Sequence, residues 1–253
     1  MGWMAVSPRK LSGSLPAQPS KSAAHRVLCC AALADGVSTL KGIALSDDVR
    51  ATYEGLFSLG LAHAQADKNT ITMRGGLTPS GAERSVDCNE SGSTLRFLLP
   101  LALLSGSGAV FTGRGRLLRR PLDVYRDIFL KSGAAWTANE SSIAVSGRLR
   151  PGDYQMPGNV SSQFLTGLLF ALPVLDADSN IRLTSPLESR GYVEMTRAIQ
   201  ARFGVRSAFE DSILHIPGNQ RYVPADVRIE GDCSHAAFFL VAGAIGGDVT
   251  VTG

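Results

Sequence analysis

Four apolar segments recur along the chain at a nearly constant interval. In each segment, a run of small and apolar residues leads into a turn that contains Gly or Asp, and then into β-branched residues. This pattern predicts a buried helix followed by a short strand. The interval of about 70 residues indicates an internal repeat. The segments are AAHRVLCCAALADGVSTLKG, TLRFLLPLALLSGSGAVFTG, SQFLTGLLFALPVLDADSNIRLTS and SHAAFFLVAGAIGGDVTVTG, which end at Gly42, Gly113, Ser185 and Gly253.

A stretch with the spacing of an amphipathic helix follows three of these segments. The stretches begin DDVRATYEGLF, RPLDVYRDIFL and RGYVEMTRAIQARF, and they stop at Gly60, Gly133 and Gly204. Glycine after the last helical turn is a typical C-cap, because it adopts the left-handed conformation without a Cβ clash. Two short strands are predicted after each glycine. The repeat unit is therefore β-α-β-α-β-β, and we expect it three times in full.

The fourth apolar segment has no amphipathic helix after it in the sequence. Its helix, CSHAAFFLVAGAIGG, would have no helix or sheet of its own unit to cover it. We therefore expect the 253 residues to be a fragment or one half of a split protein, which associates through residues 232–253.

Composition and charge narrow the functional class. The chain has 25 Lys and Arg against 22 Asp and Glu, and this net charge of +3 suits small anions better than a nucleic-acid backbone. The four cysteines match no metal or disulfide pattern and the first residues do not resemble a secretory signal, so we expect reduced thiols in a cytoplasmic protein. The apolar runs are shorter than the roughly 20 residues of a membrane span. The four histidines lack ligand spacing, so we predict no metal and no other cofactor.

Polar clusters stand at the start of the first helix of each complete unit: PSKSAAHR, NESGSTLR and NVSSQF. Ordinary N-capping is sufficient to explain any one of them. Helix N-termini also bind phosphate or carboxylate, and three equivalent clusters are expected to meet around a pseudo-threefold axis. Lys21 and Arg26 supply cations to this group, and Gly92 would let a ligand approach the backbone.

The starts of the amphipathic helices add further candidates. Arg120 precedes Pro121, which is expected to begin a helix and to leave Arg120 at its cap. One or two of the four arginines in GRGRLLRRP are expected to reach the site, while the others form a solvated face. The motif ESRGY places Ser189 and Tyr192 at the equivalent point of the third unit, although the tyrosine ring could instead pack on the sheet.

Seven motifs, in this order, resemble those of the 5-enolpyruvylshikimate-3-phosphate synthase family, and the resemblance covers about residues 11–253. Each motif is short, but the ordered set is specific. The resemblance implies an enolpyruvyl transferase of the shikimate pathway, which leads to aromatic amino acids. Such an enzyme moves the enolpyruvyl group of phosphoenolpyruvate to the 5-hydroxyl of shikimate 3-phosphate and releases phosphate. The motifs are PSKSAAHR, SDDVR, ESGSTLRF, RRPLDVY, VSSQFLTGLL, ESRGYVEMT and EGDCSHAAFFL.

The resemblance also implies the architecture. The fold would be mixed α/β, an inside-out α/β barrel in which each of two domains contains three β-α-β-α-β-β units. Residues 1–19 would belong to the other domain, residues 20–231 would form the complete substrate-binding domain, and residues 232–253 would begin the second domain. Most of that second domain would lie outside the sequence.

Motif matching assigns roles to ten residues. Lys21 would be catalytic and would contact both substrates. Three residues besides Lys21 match positions around phosphoenolpyruvate: Gly92, Arg120 and Gln163. Those that match positions around shikimate 3-phosphate are Lys21, Ser22, Arg26, Ser161, Ser162, Gln163, Ser189 and Tyr192.

Two departures from the family pattern matter. Glu90 stands where many members have Asn, and its carboxylate would repel an anion unless it turns away, pairs with an arginine or is protonated. The family's other acid/base carboxylates, a lysine and two arginines come from the second domain, so we expect the isolated chain to be inactive.

Two other functions compete with this reading. One is a non-catalytic half that binds shikimate 3-phosphate, alone or with a second polypeptide. The other is the related transferase for UDP-N-acetylglucosamine, which typically has Asn after the lysine and a cysteine near the arginine loop. Ser22 and the cysteine-free GRGRLLRRP disfavour that relative.

Overall fold

The structure of the chain is a computed structural model that describes residues 3–5, 9–76 and 84–253. The helices are α1 (Lys21–Leu33), α2 (Asp47–Ser58), α3 (Gly92–Ala102), α4 (Asp123–Lys131), α5 (Ser162–Ala171), α6 (Arg190–Arg202) and α7 (Cys233–Gly246). Short 3-10 turns lie at Leu117–Arg119 and Leu172–Val174. The strands are β1 (Ser12–Pro16), β2 (Gly36–Lys41), β3 (His63–Asp67), β4 (Thr70–Gly75), β5 (Ser85–Asp87), β6 (Ala109–Thr112), β7 (Ala135–Ala138), β8 (Ser142–Ser146), β9 (Asp153–Met156), β10 (Ser179–Leu183), β11 (Ala208–Glu210), β12 (Ile213–Ile216), β13 (Val227–Arg228) and β14 (Asp248–Thr252).

Three four-stranded sheets share one topology, as the repeat predicts. Their strand orders are β13-β2-β4-β3, β5-β6-β8-β7 and β9-β10-β12-β11. In each sheet, the first strand pairs in parallel with the second, and the other pairs are antiparallel. Three units are present in full, with one difference in chain order. The first strand of the first sheet is β13, which follows the third unit in sequence, so the units close into a ring.

The helices lie inside the sheets, and this arrangement agrees with the inside-out description. Nearly every residue of α1, α3 and α5 is buried, which explains why these segments are predominantly apolar after their polar starts. In contrast, α2, α4 and α6 bury only one side. The sheets stay open and separate in the part of the chain that the structure describes, so the strands themselves do not form a closed barrel.

The ends of the helices follow the capping pattern closely. Gly60, Gly133 and Gly204 all have positive φ values, of 69°, 83° and 83°. At the other end, the hydroxyls of Ser20, Ser91 and Ser161 accept hydrogen bonds from backbone N–H groups of α1, α3 and α5. The three central helices therefore begin at equivalent points of their units and direct their N-termini toward the same end of the domain.

Three of the four cysteines are buried, as expected for structural thiols. Burial raises the pKa of Cys29, Cys30 and Cys88, which keeps these thiols protonated and unreactive. Cys233, at the start of α7, is the exception and is exposed.

The two ends of the described chain meet in a small separate layer. Strand β1 pairs in parallel with β14, so that Ser12 lies opposite Asp248. Helix α7 covers this sheet but leaves large apolar side chains exposed, among them Phe238 at 77% and Ile245 at 83%. An isolated antiparallel bridge joins Pro19 and Gly231. None of the described helices is long and apolar enough to span a bilayer.

Candidate functional site

The N-termini of the central helices surround one polar cavity of about 500 Å³. It is lined by side chains from all three repeat units, because each unit contributes one capped helix start. The cavity brings together all ten residues singled out in the sequence: Lys21, Ser22, Arg26, Gly92, Arg120, Ser161, Ser162, Gln163, Ser189 and Tyr192. Sequence reasoning missed Asp48, Phe97 and Val160, which also line it.

Lys21 is held by a carboxylate from the next helix. Its Nζ donates to Oδ2 of Asp48 over 2.9 Å, and both side chains keep partial access to solvent. Asp48 lies in the first turn of α2, where the positive end of the helix dipole stabilises an acidic side chain. The sequence signal for Asp48 was the motif SDDVR. Lys21 therefore lies at the edge of the cavity with Asp48 as its partner. An anionic ligand that binds the Lys21 ammonium group would have to share it with Asp48 or displace Asp48.

Arg26 is a buried cation that contacts all three units. Its Nε donates to Oγ1 of Thr196 over 2.8 Å, and Nη1 donates to the carbonyl of Ser22 over 2.7 Å. The guanidinium also lies over the rings of Phe97 and Tyr192. Burial lowers the pKa of Arg26 to about 10, so it stays charged at neutral pH. It has no carboxylate partner among the ion pairs of the described residues, and its charge is available to an anion.

The N-termini of α1, α3 and α5 form three entrances to the cavity. The second entrance, at the start of α3, is shaped by the absence of a side chain at Gly92. A Cβ there would lie 2.7 Å from Nη1 of Arg120 and 2.9 Å from Nη1 of Arg96, so only glycine fits without displacing them. Gln163 closes this corner from the third unit, and its Nε2 donates to Oγ of Ser93 over 3.0 Å. Two guanidinium groups and an amide thus converge at the start of α3.

The third entrance presents hydroxyl groups. Ser161 caps α5 by accepting from the backbone N–H of Gln163 over 3.2 Å, and Ser162 is the first residue of the helix. Ser189 precedes α6 in the left-handed region, with φ 56° and ψ 37°, and its side chain makes no capping hydrogen bond. Tyr192 is 42% exposed, so its ring lines the cavity instead of packing on a sheet.

The arginine loop contributes one side chain to the cavity. Arg114 pairs with Asp87 over 3.4 Å and is exposed, whereas Arg120 lines the cavity. The prediction that Pro121 begins the helix is wrong, since α4 begins at Asp123 and Arg120 belongs to the preceding loop. The loop still places its guanidinium over Gly92.

The charges of the cavity favour an anionic ligand. Three cations, Lys21, Arg26 and Arg120, face two carboxylates, Asp48 and Glu90. The hydroxyls and helix N-termini add hydrogen-bond donors suited to phosphate or carboxylate. Across the described ranges, His, Cys, Asp and Glu form no cluster that could hold a metal ion.

Comparisons with known proteins agree with this reading. A family model described as EPSP synthase (3-phosphoshikimate 1-carboxyvinyltransferase) matches residues 6–253. A 3-phosphoshikimate 1-carboxyvinyltransferase of Clostridium kluyveri is 44% identical over 100% of this chain and 60% of its own length. One of Clostridioides difficile is 40% identical over 99% of this chain and 60% of its own length. The chain thus spans about three fifths of these relatives.

A structural comparison supports the fold independently. The solved structure of EPSP synthase from Acinetobacter baumannii matches 95% of this chain and 55% of its own, with a TM-score of 0.81 and 23% identity. At 23% identity this similarity supports a shared fold only. The family model and the two similar sequences support common ancestry. By its sequence, the chain belongs to the EPSP synthase family.

Proposed function

We propose that the chain forms the shikimate 3-phosphate site, and one wall of the phosphoenolpyruvate site, of a 3-phosphoshikimate 1-carboxyvinyltransferase. The convergence of the ten motif-matched residues on one cavity carries this proposal. In the reaction, the 5-hydroxyl of shikimate 3-phosphate adds to the enolpyruvyl carbon of phosphoenolpyruvate. The tetrahedral intermediate then expels phosphate, and the enolpyruvyl group remains attached to the shikimate ring through an ether oxygen.

Each entrance has a distinct task in this proposal. The serines of the third unit, Ser161, Ser162 and Ser189, donate to the phosphate of shikimate 3-phosphate. Arg26 and Ser22 hold the shikimate ring with its carboxylate. Lys21 lies between the two substrates, where its charge stabilises negative charge that develops on the transferred group. The cytoplasm is the expected location of such a biosynthetic enzyme.

Catalytic turnover requires groups beyond those that this cavity provides. General acid–base catalysis and electrostatic stabilisation both require groups on each side of the reacting atoms. In the family, the opposite groups belong to segments beyond the three fifths that this chain matches. We therefore expect the 253-residue chain alone to bind shikimate 3-phosphate without turning it over.

Isothermal titration calorimetry of the chain with shikimate 3-phosphate tests the proposal. We expect binding, and we expect Ser161→Ala combined with Ser162→Ala to weaken it by about tenfold or more, because a buried phosphate oxygen loses its donors. Ser146→Ala, an exposed serine at the end of β8, is the matched control and should bind normally. Equal affinity in all three proteins would contradict the assignment. Phosphate release from both substrates by the chain alone would contradict the expected inactivity.

A further inference from the structure

Arg96 is a buried cation that no motif match had assigned to the site. It lies one turn below Gly92 in α3 and is only 7% exposed. Among the described residues it forms no ion pair with a carboxylate, and its Nε has no hydrogen-bond partner. Removing a guanidinium from water without a counter-charge is strongly unfavourable. An anion bound nearby would offset this cost.

Packing fixes the position of this guanidinium. Its Cζ lies 5.0 Å from the centroid of the Phe164 ring, which gives a cation–π contact. The hydroxyl of buried Tyr125 lies 2.7 Å from the carbonyl oxygen of Arg96 and 2.9 Å from that of Phe164, and so ties α3 to α5 at this level. The Tyr125 hydroxyl thus holds the backbone from which Arg96 projects, and the contact with the Phe164 ring holds its guanidinium.

Arg96 also determines how the amide of Gln163 is oriented. Its Nη1 donates to Oε1 of Gln163 over 3.1 Å. A cationic donor cannot face the amide nitrogen, because both would be donors. The Nε2 group is consequently turned toward Oγ of Ser93 and the cavity, where it can donate to an anion. The orientation of Gln163 is thus a consequence of the charge at Arg96.

We propose that Arg96 is a positioning residue for phosphoenolpyruvate: it supplies the counter-charge below Gly92 and holds the Gln163 amide with its N–H groups toward the substrate. The inference rests on the proposed function, since it takes phosphoenolpyruvate as the anion bound over Gly92. Arg96 does not itself line the cavity. It acts through Gln163 and through its electric field, which adds to that of Arg120.

Thermal unfolding of the chain, with shikimate 3-phosphate saturating and phosphoenolpyruvate titrated, tests this role. Arg96→Met should weaken phosphoenolpyruvate binding by about tenfold or more, because it removes the charge and frees the amide to turn. Arg96→Lys keeps the charge and should lose about threefold. Arg96→Met should also raise the Tm of the ligand-free chain, because it removes a buried charge that lacks a partner.

Arg84→Met is the matched control, because Arg84 is equally buried at 7% but donates to Ser105 away from the cavity. It should lower the ligand-free Tm and leave phosphoenolpyruvate binding unchanged. Unchanged phosphoenolpyruvate affinity in Arg96→Met would overturn the inference, as would a loss of affinity accompanied by a lower ligand-free Tm. Binding of shikimate 3-phosphate but not phosphoenolpyruvate by the unchanged chain would overturn it too. Failure to bind shikimate 3-phosphate would instead refute the proposed function itself.

Discussion

Two carboxylates line a cavity that otherwise suits anions, and each is placed where it does not oppose them. Asp48 pairs with Lys21 and so orients the cation. Glu90 turns toward the arginine loop, where its Oε1 lies so close to Gly115 that a Cβ at that position would collide with it. Gly115 has a φ of 59°, which glycine adopts without strain. Glu90 still lines the cavity, but of the three ways in which it could be accommodated, the structure supports a carboxylate directed toward the arginine loop.

Backbone strain at Ser189 gives a prediction for a single residue. A non-glycine residue in the left-handed region costs about 1 kcal/mol or more, so Ser189→Gly should raise the free energy of unfolding by about 1 kcal/mol and the Tm by about 2 to 4 °C. The same change should weaken shikimate 3-phosphate binding by about tenfold, because the hydroxyl is lost. Thermal unfolding and calorimetry measure the two effects.

Ser189→Ala separates strain from the hydroxyl. It removes the same donor but keeps the Cβ, so it should lose affinity without gaining stability. A lower Tm for Ser189→Gly would show instead that the side chain stabilises the start of α6.

At the scale of elements, a buried polar chain joins the first three helices behind the cavity. His25 Nδ1 lies 2.7 Å from Oγ1 of Thr52, which lies 2.7 Å from Oγ1 of Thr94, which donates to Oγ of Ser91 over 2.7 Å. The members come from α1, α2 and α3 and from the residue that caps α3. The chain therefore fixes the relative positions of the helix starts that carry Lys21, Asp48 and Gly92.

The histidine makes stability depend on pH. Burial lowers the pKa of His25 to about 3; the nearby charge of Asp48 raises it, and those of Lys21 and Arg26 lower it. The unfolded chain binds this proton near pH 6.5, so between pH 6.5 and 3 the unfolded state holds more protons. Stability from this group is present above pH 6.5 and should fall with decreasing pH, by up to about 1.4 kcal/mol per pH unit.

Urea unfolding of the chain and of His25→Asn, from pH 7 to pH 4.5, measures this contribution. The asparagine keeps a hydrogen-bonding group near Thr52 but does not titrate, so the difference between the two proteins should shrink as the pH falls. Parallel curves over this range would show that His25 is not buried as a neutral group.

At the scale of the whole molecule, sequence patterns were sufficient for the parts of the structure that are set locally. Helix periods, C-cap glycines and capping serines are local signals, and they located the repeat and its three entrances. The motif resemblance then gave the ten cavity residues. Arg96 and Phe97 were not predicted as site residues, because their position depends on how α3 packs against α5. An arginine inside an apolar run also has no distinctive spacing. Strand β13 was not predicted, because two residues are too few to show an alternation of apolar and polar side chains.

The apolar face of α7 gives a prediction about association. Four large side chains within one helix are exposed: Phe238, Leu240, Val241 and Ile245. A patch of this kind favours association in water, so light scattering should give an apparent mass that rises above 26.7 kDa with concentration. Phe238→Glu combined with Ile245→Lys should restore the monomer mass.

Leu130→Glu is the control for that measurement. Leu130 is 53% exposed on α4, as a single apolar side chain outside the patch, so its replacement should leave the association unchanged. A monodisperse monomer at all concentrations would contradict the prediction that residues 232–253 mediate contact.

Closure of the first sheet by β13 has a consequence for how the chain is made. Thr39 of β2 donates its N–H to Asp226 beside β13, a residue 187 positions later. At about 5 to 20 residues per second, a ribosome needs roughly 10 to 40 s to synthesise the intervening chain. During that time the edge of β2 has no neighbour, although β3 and β4 are already available. Of the three units, the one that leaves the ribosome first is therefore the last to be completed, and until then its open edge is exposed to wrong pairing.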